Sequence, residues 1–202
     1  MIYEIRTYTL KPRSMAEVEK RWIDAYPVRA PYSPVSAVLK TEFGPLNEFV
    51  QIWAYDSIEE RYRIRAEASK EAAWPPPIAE FIENQKVEIL NPFPFAPAWT
   101  PGPMQAIYEL RQYTYRPGTL PDIQAKWEAA LPGRLQFSPI AMLGNIEFGP
   151  TANSFIHLWP YASIEERSHV RAQASATGKW PASVTEPYLR QENKILVPAA
   201  QA

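Results

Sequence analysis

Three side chains that can bind or activate an acidic molecule alternate along the first predicted strand. In IYEIRTYTL (2–10), Glu4, Arg6 and Tyr8 share one face, because successive side chains of a strand point to opposite faces. An arginine in a cavity can hold a carboxylate or an enolate, a glutamate can act as a base, and a tyrosine can donate a hydrogen bond. The same residue types can instead form a structural ion pair that satisfies buried charge. The sequence leaves both interpretations open.

The same trio recurs in a second strand, IYELRQYTY (107–115), as Glu109, Arg111 and Tyr113. That both copies keep the trio argues for a structural role repeated by symmetry, and the functional role stays the alternative.

A histidine is the sharpest single candidate for acid–base chemistry. His157 lies between Phe155 and Trp159 on a predicted strand, where an earlier and similar segment has Gln51. Its ordinary pKa near 6.5 suits a general base at neutral pH, and Tyr113 is the expected hydrogen-bond donor beside it. The alternative is a histidine that only packs and hydrogen-bonds in the core. Haem ligation is disfavoured because nothing in the sequence marks the pocket for a porphyrin, and metal chelation because no carboxylate–histidine cluster accompanies His157.

Two pairs of arginines lie at i and i+4 on predicted helices, namely Arg61 with Arg65 and Arg167 with Arg171. Because they follow two glutamates, we expect a solvated helix face with Glu–Arg pairs. The alternative is a site for an anion or a partner at a barrel mouth. Two further arginines follow the first helix of each half and can bind its terminal carbonyls or gate an opening: Arg29 and Arg134.

Composition excludes several classes of function. The chain has 202 residues, 46% of them hydrophobic and 21% charged, as in globular proteins. The net charge of −1 gives no basic stripe for nucleic acid, and no apolar run approaches the roughly 20 residues of a membrane span. Zero cysteines rule out disulfides and thiolate catalysis. A strand pattern from Ile2 leaves no room for a targeting peptide, so we expect a cytoplasmic protein.

The chain is an internal duplication. EFGP (42–45) recurs at 147–150 and SIEER (57–61) at 163–167, with many single matches between them. A proline-rich connector separates the copies. The repeat predicts two domains and a linker, at 1–92, 105–202 and 93–104.

Each copy has the pattern βαββαβ. In the first copy the strands are predicted at 2–10, 35–43, 47–54 and 83–90, and the helices at 14–26 and 57–73. Pro27 is expected to end the first helix. Serine–glutamate spacings at 14–17 and 57–60 predict capping boxes.

A four-stranded sheet with both helices on one face needs a cover for its other face. Val50 and Ile52 form a purely apolar face, which we expect under the helices, as we do Ile5 and Leu110. The opposite face carries aromatic and polar groups that indicate a pocket between two sheets. The predicted ligand-binding residues are Glu4, Arg6, Tyr8, Phe49, Gln51, Trp53, Glu109, Arg111, Phe155 and Trp159.

These motifs together resemble the NIPSNAP family: IYE[IL]R-x-YT, the EFGP hairpin, the W-x-Y-x-S-I-E-E-R helix entry and the QENKIL close (191–196). The resemblance implies a ferredoxin-like dimeric α+β barrel. It also implies a superfamily that includes cofactor-free monooxygenases, small-ring isomerases, cyclases and haem proteins. The first copy departs from the closing motif with QKVEIL (85–90), so the two halves can differ in what that strand contributes.

We therefore predict an α+β fold in which two tandem ferredoxin-like units pack sheet to sheet as a dimeric α+β barrel within one chain. The interior is expected to bind a small apolar or aromatic molecule, with an acidic group facing Arg6 or Arg111 and without a cofactor or metal. One alternative is a cofactor-independent monooxygenase or an isomerase or cyclase, with His157 as base and Tyr113 as donor. The other is a non-catalytic interaction scaffold. Further homo-oligomerisation stays open.

Overall fold

The computed structural model describes residues 1–100, 104–151, 153–186 and 188–199. Each half contributes four strands and two helices, in the predicted order. The first half contains β1 (Ile2–Leu10), α1 (Met15–Arg29), β2 (Val35–Phe43), β3 (Glu48–Tyr55), α2 (Ile58–Ala68) and β4 (Ile82–Pro92), with a short 3₁₀ turn at Ala79–Phe81. The second half contains β5 (Ile107–Thr114), α3 (Leu120–Leu135), β6 (Met142–Phe148), β7 (Ser154–Tyr161), α4 (Ile164–Ala176) and β8 (Arg190–Pro198).

The eight strands close into one barrel in the order β1-β3-β2-β8-β5-β7-β6-β4. All pairs are antiparallel, and the two halves join along two seams, β2 with β8 and β4 with β6. An ion pair ties the halves together, since Nζ of Lys194 lies 2.6 Å from Oε2 of Glu48. The predicted pseudo-dimeric α+β barrel is confirmed.

The predicted assignment of the two sheet faces is wrong. Val50 and Ile52 do not lie under the helices but inside the barrel, together with Ile5, Leu110 and the apolar strand residues of both halves. Phe49 and Trp53 instead pack against Val18, Trp22 and Ile64 of the helices, in the core cluster of the first half. Buried Glu4 and Glu109 need counter-charge, which Arg61 and Arg167 of the helices supply. The barrel interior packs mainly apolar strand residues of both halves, beside a polar group of Glu88, Gln112 and Thr151.

The first helix of each half continues through a proline. Helix α1 does not stop before Pro27 but extends to Arg29, and α3 contains Pro132 in the same way. A proline in the last turn removes one hydrogen bond. The turn keeps the bond from the backbone N–H of Ala30 to the carbonyl of Tyr26 at 2.9 Å, and Nη1 of Arg29 donates to the carbonyl of Ser33 just beyond the helix.

The second helix is shorter than predicted. Helix α2 ends at Ala68 rather than near residue 73. At this end the hydroxyl of Ser69 donates to the carbonyl of Ala66. The predicted serine cap is confirmed, since Oγ of Ser57 accepts from the backbone N–H of Glu60 at 3.1 Å, while the Glu60 carboxylate accepts from the backbone N–H of Asp56. The box predicted at 14–17 is wrong, because the hydroxyl of Ser14 donates to the carbonyl of Lys11 instead of capping α1.

The described part of the connector passes one end of the barrel. The backbone N–H of Trp99 donates to the hydroxyl of Tyr3 at 3.1 Å, and the Trp99 ring packs against the apolar interior. The domain boundaries at 92 and 105 stay a prediction.

Candidate ligand-binding clefts

Each half contains a cleft between the outer face of its strands and its helical layer. The cleft volumes are about 260 Å³ and 280 Å³. The residues that carry the chemistry occupy equivalent positions in the repeat. They are Arg6, Tyr8, Arg29, Gln51, Trp53, Arg65 and Trp74 in the first cleft, and Arg111, Tyr113, Arg134, His157, Trp159, Arg171 and Trp180 in the second.

A buried carboxylate organises the arginines of the first half. Oε1 of Glu4 accepts from Nη1 of Arg6 at 2.9 Å and from Nη2 of Arg61 at 2.5 Å, and Nη1 of Arg65 lies 3.7 Å from Oε2. Burial acts to raise the pKa of Glu4, but Arg61, Arg65 and Arg6 outweigh it and hold that pKa below its usual range. Glu4 is therefore an ionised structural anchor rather than a base.

The second half reproduces this geometry. Oε1 of Glu109 accepts from Nη1 of Arg111 at 2.8 Å and from Nη2 of Arg167 at 2.5 Å, while Nη1 of Arg171 lies 3.6 Å from Oε2. The prediction of a solvated Glu–Arg helix face is therefore wrong for these helix arginines. They reach from the helix to the strand glutamate because that carboxylate is buried and needs counter-charge.

Two arginines complete the clefts and were not predicted as ligand contacts. Nη2 of Arg29 donates to the hydroxyl of Tyr55 at 3.2 Å, and its guanidinium lies 4.4 Å from the ring centroid of Trp53. Arg134 makes the equivalent contacts in the second half. Neither arginine forms an ion pair with a carboxylate of the described chain. Arg29 follows Pro27 and Arg134 follows Pro132 at the same spacing. This repetition was the sequence signal that could have identified both arginines as cleft residues.

His157 is buried and neutral. Nε1 of Trp159 donates to Nδ1 of His157 at 2.5 Å, while Nε2 of His157 has no partner among the described residues. Burial and then the charges of Arg111, Arg171 and Arg134 hold the pKa of His157 well below 6.5. With Nδ1 occupied, the ring presents a donor rather than a basic lone pair to the cleft.

Tyr113, the other predicted catalytic residue, lies beside His157. Its hydroxyl accepts from Nε of Arg111 at 2.7 Å, and its ring centroid is 4.9 Å from that of His157. Tyr188 closes the same cleft, where burial raises its pKa to about 12. Sequence reasoning missed Tyr188, because the first half has Ile82 at this position.

The predicted site residues thus separate into three groups. Eight line the clefts: Arg6, Tyr8, Gln51 and Trp53, with Arg111, Tyr113, His157 and Trp159. Glu4 and Glu109 lie behind them as counter-charges. Phe49 and Phe155 are fully buried in the core clusters and line neither cleft. The expectation that these residues line the barrel interior is wrong.

The described residues contain no group of three or more His, Cys, Asp or Glu side chains placed to hold a metal. Among the described segments, no helix is long and apolar enough to cross a membrane. The arginine excess of both clefts suits an anionic ligand and repels a cation.

Comparisons with known proteins agree with the duplication. The NIPSNAP family model matches residues 3–97 and again 108–202. A NipSnap homolog of Dictyostelium discoideum is 27% identical over 165 residues, covering 78% of this chain and 72% of that protein. Human NipSnap homolog 3A is 26% identical over 211 residues, covering 99% and 84%.

A solved structure shows the same fold across nearly the whole chain. It is a candidate monooxygenase from Fusobacterium nucleatum with a TM-score of 0.66 and 11% identity, covering 98% of this chain and 92% of that one. At that identity the likeness concerns the fold alone. The two family matches, one over each half, establish that the chain belongs to the NIPSNAP family.

Proposed function

We propose that each half binds one small organic anion with a planar or aromatic body, in the cleft between its strands and its helices. The observation that carries this proposal is the excess of arginine over carboxylate. In the first half Arg6, Arg61 and Arg65 share a single anchoring carboxylate, Glu4, and Arg29 lines the same cleft without an ion pair to it.

Such an excess of positive charge costs free energy when it is partly buried. Burial and then the nearby guanidinium of Arg6 lower the pKa of Arg65, as expected for a partly buried cation beside another cation. An incoming carboxylate relieves this repulsion and accepts bidentate hydrogen bonds from guanidinium groups.

The walls of the clefts favour a flat ligand. Trp53 and Trp74 line the first cleft and Trp159 and Trp180 the second, and their rings offer apolar faces beside the arginines. The volumes lie just below the ~300–1,000 Å³ typical of small-molecule sites. A single aromatic ring with an acidic group fits this description.

Titration of the whole chain with benzoate tests the proposal, followed by tryptophan fluorescence and calorimetry at constant ionic strength. We expect benzoate to bind and its isosteric cation benzylamine not to bind. Arg65→Gln and Arg171→Gln should each weaken one site about tenfold or more. Arg63→Gln is the matched control, because Arg63 lies on the same helix but is exposed and pairs only with Glu60. Equal affinity for benzoate and benzylamine would contradict the proposal.

A second candidate is cofactor-independent oxygenation or isomerisation of such an acid in the second cleft. The favouring observation is the contact between Tyr113 and His157, whose ring centroids lie 4.9 Å apart beside three arginines. Because Nδ1 of His157 accepts from Trp159 and Nε2 carries the proton, His157 takes part as a hydrogen-bond donor to an oxygen that gains negative charge, and not as the base. His157→Gln keeps a donor and should retain most of the turnover, whereas His157→Leu should lose it. Oxygen consumption with candidate aromatic acids measures this, and wild-type turnover in His157→Leu would remove His157 from the reaction.

A further inference from the structure

The first cleft has Gln51 where the second has His157, and a tryptophan donates a hydrogen bond to both side chains. Trp53 donates its indole N–H to Oε1 of Gln51 at 3.2 Å, and Trp159 donates to Nδ1 of His157 at 2.5 Å. In both pairs the tryptophan lies two residues further along the strand, so the two side chains share a face. The same hydrogen bond from tryptophan therefore occurs in both halves, with glutamine as the acceptor in the first half and histidine in the second.

An arginine in turn holds each tryptophan. The guanidinium carbon lies 4.4 Å from the Trp53 ring centroid for Arg29, and 4.1 Å from the Trp159 ring centroid for Arg134. A cation over an indole face fixes the ring and withdraws electron density from it. The indole N–H becomes a better directed and stronger donor toward Gln51 or His157.

That donor decides which hydrogen-bonding group the acceptor residue turns to the cleft. A neutral imidazole that accepts at Nδ1 carries its proton on Nε2. A glutamine that accepts at Oε1 has its amide N–H₂ on the other side. Glutamine and this histidine tautomer are thus equivalent, since each accepts from tryptophan and donates an N–H.

His157 lines the second cleft, and its Nε2 is buried without a partner among the described residues. A buried donor without an acceptor is costly, and an anion oxygen in the cleft supplies the missing acceptor. An ammonium or amide N–H at the same place would leave two donors facing each other.

We infer that Gln51 and His157 are equivalent specificity-determining donors, that Trp53 and Trp159 are positioning residues that fix them, and that each chain therefore binds two ligands of one class. The ligand places a carboxylate or carbonyl oxygen against this N–H. This assignment of the ligand group deepens the proposed function and rests on it. The orientation of His157 does not depend on the proposed function.

The orientation is tested without any ligand. Two-bond ¹⁵N–¹H NMR correlations of the ¹⁵N-labelled chain report which imidazole nitrogen carries the proton, and exposed His169 is an internal reference. We expect Nε2–H alone for His157 in the wild type and a mixture of tautomers in Trp159→Phe. An Nδ1–H tautomer in the wild type would overturn the role of Trp159, whether or not the variant folds.

The equivalence is tested by calorimetric stoichiometry with benzoate as the probe. We expect two sites in the wild type, in His157→Gln and in Gln51→His. Replacing the donor by His157→Leu should weaken one site about ten- to a hundredfold, with the other unchanged. Loss of a site in His157→Gln would overturn the equivalence. If benzoate does not bind the wild type, the proposed ligand class fails, while the NMR result decides the positioning role separately.

Discussion

Arg61 on α2 and Glu4 on β1 are separated by 57 positions in the chain, yet Nη2 of the arginine donates to Oε1 of the glutamate at 2.5 Å. The glutamate side chain is fully buried and that of the arginine is 12% exposed. The same bond joins Arg167 to Glu109 in the second half. This pair fastens a helix to the sheet and decides which sheet face lies under the helices.

Removing the anchoring charge should destabilise the fold strongly. We expect Glu4→Gln to lower the free energy of unfolding by about 3 to 5 kcal/mol, because it leaves buried arginines without counter-charge. Urea unfolding measures this. The control is Glu17→Gln, which breaks the surface pair with Arg21 and should cost no more than about 0.5 kcal/mol. Equal effects of the two substitutions would show that the Glu4 cluster has no special role.

Organic anions should raise thermal stability through binding. Benzoate at a hundred times its dissociation constant adds about 2.7 kcal/mol per site, because it binds the folded chain only. The melting temperature should rise with benzoate and not with sodium chloride at the same ionic strength. The rise should be smaller in Arg65→Gln than in the Arg63→Gln control. An identical response to benzoate and chloride would point to screening instead of binding.

Stability should fall as the pH is lowered below about 6.5, and His157 should be one cause. Its pKa in the folded chain is held well below 6.5, first by burial and then by the nearby arginines. Below about 6.5 the unfolded chain therefore binds a proton that the folded chain does not. The free energy of unfolding should lose up to about 1.4 kcal/mol per pH unit from this residue, until the folded pKa is reached.

Denaturant unfolding between pH 7 and 5 checks this effect. His157→Gln should flatten the slope, whereas His169→Gln, at an exposed position of α4, should keep it. A slope that survives in His157→Gln would assign the pH dependence to other groups.

The seam between the halves should not tolerate a methyl group at Gly144. A Cβ at this position would lie 2.7 Å from Cα of Pro92 and 2.5 Å from a methyl carbon of Leu90, across the pairing of β6 with β4. We expect Gly144→Ala to destabilise the chain by about 1 to 3 kcal/mol. Gly133→Ala is the control, because nothing lies within 4 Å of its Cβ in α3. There alanine should be neutral or stabilising by up to about 1 kcal/mol. A tolerated Gly144→Ala would mean that the seam can open without cost.

Repetition and periodicity in the sequence were enough to predict the architecture. The doubled βαββαβ pattern gave the order of all eight strands and four helices, and most strand ends lie within two residues of the prediction. Local chemistry explains the misses, as at Pro27: a proline in the last turn removes one backbone bond but leaves the bond from Ala30 to Tyr26, so the helix reaches Arg29.

The sequence by itself determined which residues share a strand face, because alternation along a strand is a local property. It placed Glu4 with Arg6 and Gln51 with Trp53, but alternation has no direction and leaves either face free to meet the helices. Only the tertiary structure decided that choice. Arg61 and Arg65 on α2 supply the counter-charge that buried Glu4 requires, whereas the opposite face, with Ile5, Val50 and Ile52, packs against apolar strand residues of the other half inside the barrel. The clefts therefore lie outside the barrel, beneath the helices, where distant parts of the chain bring several arginines together.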